Sequence, residues 1–94
     1  MPKIILSGYI LVARHELPAI RNALPEHLAE TRGEAGCLVF DVREADDDSG
    51  RFEVYEEFES REAFEFHQTR ARQSEWGVVS KNVRRFYDVQ EIED

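Results

Sequence analysis

The stretch that most constrains the fold covers residues 33–67, where two strand-like segments are followed by a helical one. Residues 37–43 and 51–58 are rich in Val, Phe and Tyr, and residues 46–50, Asp-Asp-Asp-Ser-Gly, favour a turn between them. This pattern predicts a β-hairpin with an acidic tip.

A helix is predicted directly after the hairpin. Ser60 is a good N-cap and Glu62 places negative charge in the first turn. Helical spacing then links Ala63, Phe66, His67 and Arg70. We therefore expect His67 on or beside the helix face that packs against the hairpin.

The rest of the chain completes a regular alternation of elements. Residues 3–13 are almost continuously apolar and β-branched, which predicts a central strand, and residues 83–92 alternate as a final strand. Helical spacing covers residues 16–32, where Pro25 predicts a kink. Residues 73–82 read as an irregular connection in which Ser74 caps a short turn carrying Trp76.

The order β-α-β-β-α-β predicts an α+β fold of the ferredoxin-like type, with residues 1–94 as one domain. Such a domain has a four-stranded antiparallel sheet with both helices on one face. Its other face is uncovered, so we expect two copies to pack face to face as a homodimer, a dimeric α/β barrel. The space between sheet and helices is the expected pocket.

Charge and cysteine content exclude several classes of partner. Twelve basic and twenty acidic residues give a net charge of −8, which disfavours nucleic acid and anionic membrane surfaces. The longest apolar run, residues 4–13, is too short to span a bilayer or to act as a signal peptide, so we expect a cytoplasmic protein. A single cysteine, Cys37, permits no internal disulfide and fits a reducing compartment. The three histidines, at positions 15, 27 and 67, lack metal-ligand spacing, and we expect no metal.

Several segments together resemble the antibiotic biosynthesis monooxygenase family, especially its small quinol-monooxygenase-like members. The resemblance rests on His27, on Thr-Arg-Gly-Glu-Ala-Gly-Cys at 31–37, on Leu-Val-Phe-Asp-Val at 38–42, on the segment 51–58, and on Ala63-Phe64 with His67. The haem-degrading branch is less similar, since the first strand has no Asn and no His follows His67.

The resemblance implies a dimeric ferredoxin-like domain that oxidises a flat aromatic phenol or quinol with molecular oxygen and without a cofactor. Such a substrate can pass an electron to oxygen once it is deprotonated. The protein then needs to bind the ring, move protons and exclude water.

Two residues are the catalytic candidates. His67 has the side chain suited to a proton step near neutral pH, although a structural histidine is the alternative. Glu56 shares a strand face with Phe52, Val54 and Phe58. Its carboxyl group should therefore either pair with a cation, such as His67 or Arg70, or have a raised pKa.

Four further residues are candidates for substrate binding. His27 follows the expected kink, and Trp76 and Tyr9 could stack on a planar substrate, although large aromatic residues are often core. Arg70 could attract an anion, or could complement the helix dipole.

Two other functions fit the same residues. The pocket could serve an isomerase that moves protons on a small carbonyl compound, or the domain could be a non-catalytic, ligand-binding or stress-associated dimer.

Overall fold

The computed structural model describes residues 2–47 and 49–93, which form four strands and three helices. In chain order these are β1 (Lys3–Leu11), α1 (Leu17–Arg32), β2 (Cys37–Glu44), β3 (Arg51–Phe58), α2 (Arg61–Gln73), α3 (Glu75–Val79) and β4 (Arg84–Ile92). A single 3₁₀ turn, Arg14–Glu16, leads into α1.

The four strands form one sheet in the order β2-β3-β1-β4, and all neighbouring strands are antiparallel. The predicted ferredoxin-like α+β fold is confirmed, with α3 as a short addition. The hairpin of β2 and β3 is also as predicted, and its register shifts at a bulge between Cys37 and Val39. Asp48, in the middle of the predicted turn, lies outside the described residues.

The core fills the space between the helices and the inner face of the sheet. On β1 and β3 the inner side chains face one another in register, with Ile4 opposite Phe58, Leu6 opposite Glu56 and Ile10 opposite Phe52. All six are buried. Because side chains alternate between the two faces of a strand, Glu56 lies on the inner face of β3, where its neighbours are apolar.

Serine caps start the second and third helices. The hydroxyl of Ser60 accepts a hydrogen bond from the amide of Ala63 at 3.1 Å, as the sequence predicts. The hydroxyl of Ser74 accepts one from the amide of Gly77 at 3.4 Å. A Cβ atom on Gly77 would lie 2.4 Å from the carbonyl oxygen of Arg72, so glycine permits the close turn from α2 into α3.

The first strand is shorter than the sequence predicts. β1 ends at Leu11, two residues early, because the 3₁₀ turn begins soon after it. α1 continues through Pro25 without interruption, and the predicted kink there stays a prediction. No helix in the described residues is long and apolar enough to cross a membrane.

Candidate active site

A partly open cavity of about 550 Å³ lies between the inner face of the sheet and the helices. This volume falls in the range typical of small-molecule sites. All four strands and all three helices contribute to its walls. The predicted residues His27, Glu56, His67 and Trp76 all line it.

His67 is positioned by α2 and is buried in the protein. Its ring stacks on Phe58 at 5.1 Å between centroids and meets the ring of Phe40 at 5.2 Å. Burial lowers the pKa of His67, and the nearby carboxylate of Glu34 partly opposes this shift. At neutral pH the imidazole is therefore uncharged.

Glu34 fixes the orientation of that imidazole. Nδ1 of His67 lies 3.1 Å from Oε1 of Glu34, and both side chains are only 5% exposed. A carboxylate accepts hydrogen bonds and cannot donate them, so this contact assigns the proton of neutral His67 to Nδ1. Nε2 is left as the basic atom, directed towards Glu56.

An arginine holds Glu34 from its other side. The guanidinium of Arg70 donates to Oε2 of Glu34 and, at 3.1 Å, to the hydroxyl of Thr31. Thr31 is fully buried at the end of α1. The chain of contacts Thr31–Arg70–Glu34–His67 thus joins α1, the following turn and α2.

Glu56 is the acidic member of the site. Burial, and then repulsion from Glu34, raise the pKa of Glu56 to about 8, so its carboxyl group is mostly protonated at neutral pH. Of the two outcomes expected for Glu56, the raised pKa is therefore the one that its buried surroundings favour. Its Oε1 lies 3.9 Å from Nε2 of His67, too far for a hydrogen bond.

His27 and Trp76 form a flat aromatic wall. Their rings stack in parallel, with centroids 4.6 Å apart and planes 3° apart, while Phe40 meets His27 edge-on. Burial, and then the charges of His67 and Arg70, lower the pKa of His27 to about 3, so it too is neutral.

Two buried polar atoms in this cavity have no partner. Among the described residues, Nδ1 of His27 and Oε1 of Glu56 are the buried side-chain nitrogen and oxygen atoms that lack a hydrogen bond. Buried polar groups are normally satisfied, so each of these two atoms favours a polar ligand or a water molecule as its partner.

Two predicted binding residues do not line this cavity. Tyr9 lies on the outer sheet face, where its ring stacks on Phe86 and the guanidinium of Arg51 covers it at 3.8 Å. The alternation along β1 accounts for this, because the neighbouring Ile10 points inward. Arg70 is engaged by Glu34 and Thr31, so it supports His67 without forming part of the cavity wall.

Several residues of the site were missed by the sequence analysis. Glu34 lies in the turn after α1. A turn has no helical or strand periodicity from which burial of a side chain could be predicted. Tyr87, Lys81 and Arg85 also line the cavity. Alternation along β4 placed Arg85 and Tyr87 on one face of the strand, but it did not indicate that this face borders the cavity.

The site offers no clear metal-binding cluster. Within residues 2–47 and 49–93, no three His, Cys, Asp or Glu side chains are arranged to hold a metal ion. What the arrangement supplies is proton transfer: two neutral imidazoles and one protonated carboxyl group around a cavity with an aromatic wall.

A family model matches most of the chain. Residues 4–77 match the model described as antibiotic biosynthesis monooxygenase. This range includes His27, Glu34, Glu56, His67 and Trp76. No curated protein matches the sequence significantly.

Solved structures share the fold at low sequence identity. A Nitrosomonas europaea protein named provisionally as an antibiotic biosynthesis monooxygenase has a TM-score of 0.74 at 21% identity, covering 100% of this chain and 98% of that one. A Bacteroides thetaiotaomicron protein of unknown function, described as a possible oxidoreductase, has a TM-score of 0.76 at 18% identity, with 97% and 98% covered. A Caulobacter crescentus protein, also named provisionally as such a monooxygenase, has a TM-score of 0.71 at 14% identity, with 99% and 90% covered.

Proposed function

Since the chain belongs to the antibiotic biosynthesis monooxygenase family, we propose that it is a cofactor-independent monooxygenase that oxidises a small aromatic phenol or quinol with molecular oxygen. The observation that carries this proposal is the buried pair of His67 and Glu56 in one cavity, with Nε2 of the first 3.9 Å from Oε1 of the second. Burial favours the neutral form of both side chains. The first can accept a proton from the substrate, and the second can donate one to a leaving oxygen.

The overall reaction needs no external reductant. A phenol with a hydrogen on the reacting ring carbon and one molecule of oxygen give a quinone and one molecule of water. The substrate supplies all four electrons. One oxygen atom forms the new carbonyl group, and the other leaves as water with the hydrogen atoms of the O–H and C–H bonds.

His67 is the proposed base for the first step. Nε2 accepts the phenolic proton, because Nδ1 is already committed to Glu34. The resulting imidazolium is stabilised by the Glu34 carboxylate. The phenolate passes one electron to oxygen, and recombination of the two radicals forms a C–O bond and a peroxide anion. This anion takes the proton back from the imidazolium of His67 and becomes a ring hydroperoxide.

Glu56 is the proposed acid for the second step. Nε2 of His67, neutral again, accepts the remaining C–H proton as the O–O bond breaks and the carbonyl group forms, and the departing hydroxide needs a proton. The proton that His67 takes up balances the one that the acid gives, so both groups can return to their starting states. The protonated carboxyl group of Glu56 can donate it as water forms. A carboxyl group with a pKa near the working pH is suited to that role.

The wall formed by His27 and Trp76 is proposed to bind the ring of the substrate. The two parallel rings offer a planar apolar surface to a planar aromatic molecule. The unpartnered Nδ1 of His27 can accept a hydrogen bond from a second hydroxyl group of a quinol.

Oxygen consumption tests the proposal. Purified, metal-stripped protein is offered a panel of reduced naphthoquinols and polycyclic phenols while dissolved oxygen is followed. We expect uptake above the autoxidation rate for at least one compound. His67→Gln should lower kcat by about 10² or more, the usual range for loss of a general base. The matched control is His15→Gln, at an exposed histidine outside the cavity, and it should keep the full rate.

Two results would contradict the proposal. One is the absence of uptake above autoxidation for every compound in the panel. The other is a His67→Gln variant that consumes oxygen as fast as the parent protein.

The same pair of groups also supports a second candidate, an isomerase for a small carbonyl compound. A protonated carboxyl group can donate to a carbonyl oxygen while a neutral histidine removes the adjacent C–H proton, so Glu56 and His67 fit enolisation. Turnover in the absence of oxygen would favour this function over the oxygenase.

We also propose a cytoplasmic homodimer. The outer sheet face carries the half-exposed aromatic side chains Tyr55 and Phe86 beside Tyr9, and no helix of the described chain covers it. The lone cysteine, Cys37, fits a reducing compartment.

A further inference from the structure

In the part of the chain that the structure describes, three cations line the cavity without a carboxylate partner. Arg72 comes from the end of α2, Lys81 from the loop after α3, and Arg85 from β4. All three are exposed on the side where the cavity opens. Three separate elements of the fold thus bring positive charge to one place.

The other cations of the chain are mostly paired. Six form ion pairs with glutamate or aspartate, namely Lys3, Arg21, Arg32, Arg51, Arg61 and Arg70. The protein has twenty acidic residues and only twelve basic ones. Acidic partners are therefore abundant, yet none of the described ones pairs with the three cations that line the cavity.

The contacts of these three cations leave donors available. The guanidinium of Arg85 is held by the carbonyl and hydroxyl oxygens of Ser80, each at 3.2 Å. Arg72 makes one long contact of 3.4 Å, to the hydroxyl of Thr69. Within the described residues, Lys81 makes no hydrogen bond or ion pair.

Among the described residues, Glu56 is the only one that brings a carboxyl group to the cavity wall, and it is buried and mostly protonated at neutral pH. It cannot neutralise the cations at the opening. The cavity therefore has a neutral, proton-transferring part around His67 and Glu56, and a cationic opening. Positive charge at a concave site with apolar walls attracts anions more strongly than the same charge on a flat surface.

We propose that the aromatic substrate of this site carries a carboxylate group, which binds Arg72, Lys81 and Arg85 while the hydroxyl end of the molecule reaches His67 and Glu56. The orientation of the reacting end rests on the proposed function. Anion binding does not, since it depends on the three cations alone. Two of them are arginines, whose forked donors match a carboxylate.

Binding of a matched pair of ligands tests this inference. The carboxylate 6-hydroxy-2-naphthoate and its neutral amide, 6-hydroxy-2-naphthamide, have the same ring system and the same hydroxyl group. Isothermal titration calorimetry at low salt should give a dissociation constant at least tenfold lower for the carboxylate. Raising the salt concentration should reduce this preference, because the cations are partly exposed.

Variants that remove one positive charge test which residues cause the preference for the carboxylate ligand. Lys81→Gln is the first choice, because Lys81 has no structural contact to lose, and it should reduce the preference three- to tenfold. Arg72→Gln should act similarly. The control is Arg14→Gln, which removes the same charge at an exposed position outside the cavity and should leave both affinities unchanged.

Equal affinities for the two ligands, or no measurable binding of either, overturn the inference. So does an Arg14→Gln variant that loses the preference as fully as Lys81→Gln. The binding and oxygen-consumption experiments can refute the two proposals separately. A preference for the carboxylate without oxygen consumption would refute the monooxygenase proposal but support the anion site.

Discussion

Glu34 and His67 form a buried contact of 3.1 Å between Oε1 and Nδ1, and that contact decides which nitrogen of the imidazole faces the cavity. Glu34 is itself held by Arg70, which also binds Thr31. The orientation of His67 therefore depends on residues from three segments of the chain. Such support is what keeps a catalytic side chain in a productive geometry.

We predict that Glu34→Gln lowers kcat for the proposed oxidation by about 10-fold or more and changes its pH dependence. The carboxylate of Glu34 raises the pKa of His67 against the effect of burial. Its removal should lower that pKa further, so the acid limb of the kcat/KM profile should move to lower pH. NMR titration of the His67 ring measures the same shift directly.

Glu30→Gln is the matched control for Glu34→Gln. Glu30 also lies near Arg70, at 4.0 Å, but it is exposed and does not contact His67. The variant should keep the parent pH profile. An equal shift in both variants would mean that net charge, rather than the contact with His67, sets the profile.

Glu56 should make the protein less stable as the pH rises. Its pKa is about 8 in the folded protein against 4.5 when exposed, so the folded state holds the proton more tightly. The stability that this proton contributes is fully present below pH 4.5 and is lost as the pH approaches 8. The slope is up to about 1.4 kcal/mol per pH unit.

Urea denaturation of the parent protein and Glu56→Gln at several pH values measures this effect. The difference in unfolding free energy between the two should change across that window. Glu53→Gln, at an exposed position on the same strand, should follow the parent protein throughout. A parallel pair of curves for the parent and Glu56→Gln would show that Glu56 ionises normally.

His27 should have the opposite effect at acid pH. Its folded pKa of about 3 lies below the ordinary 6.5, so the unfolded chain binds the proton first. The stability associated with neutral His27 is present above pH 6.5 and is lost as the pH falls towards 3. His27→Phe, which keeps an aromatic ring against Trp76, should weaken this acid sensitivity in urea titrations, whereas the exposed His15→Phe should not.

Periodicity in the sequence predicted the fold and much of the site. A spacing of two along β3 placed Glu56 in line with buried phenylalanines, and a spacing of 3.6 along α2 turned His67 towards the sheet. These rules succeed because each element has one covered face. Once the covered face of β3 and of α2 is known, Glu56 and His67 are both placed on it.

The rest of the site depends on contacts that periodicity cannot reveal. Glu34 lies in a turn, where burial comes from α2 packing above it. The cationic opening joins residues from a helix end, a loop and a strand. Tyr9 shows a second limit of periodicity. Alternation along β1 separates Tyr9 from Ile10, but it does not tell which of the two faces borders the cavity.

The outer sheet face leads to the last prediction, a dimer in solution. Tyr9 and Phe86 stack there at 4.9 Å between centroids, and Phe86 is 38% exposed. A small domain gains stability by burying such a face against a second copy. Light scattering should therefore give about twice the chain mass of 11.0 kDa.

Phe86→Glu, which puts a charge into the proposed interface, should give the monomer mass. Phe66→Glu, the same change at a more exposed phenylalanine on α2, should remain dimeric, and a monomeric parent protein would refute the interface outright.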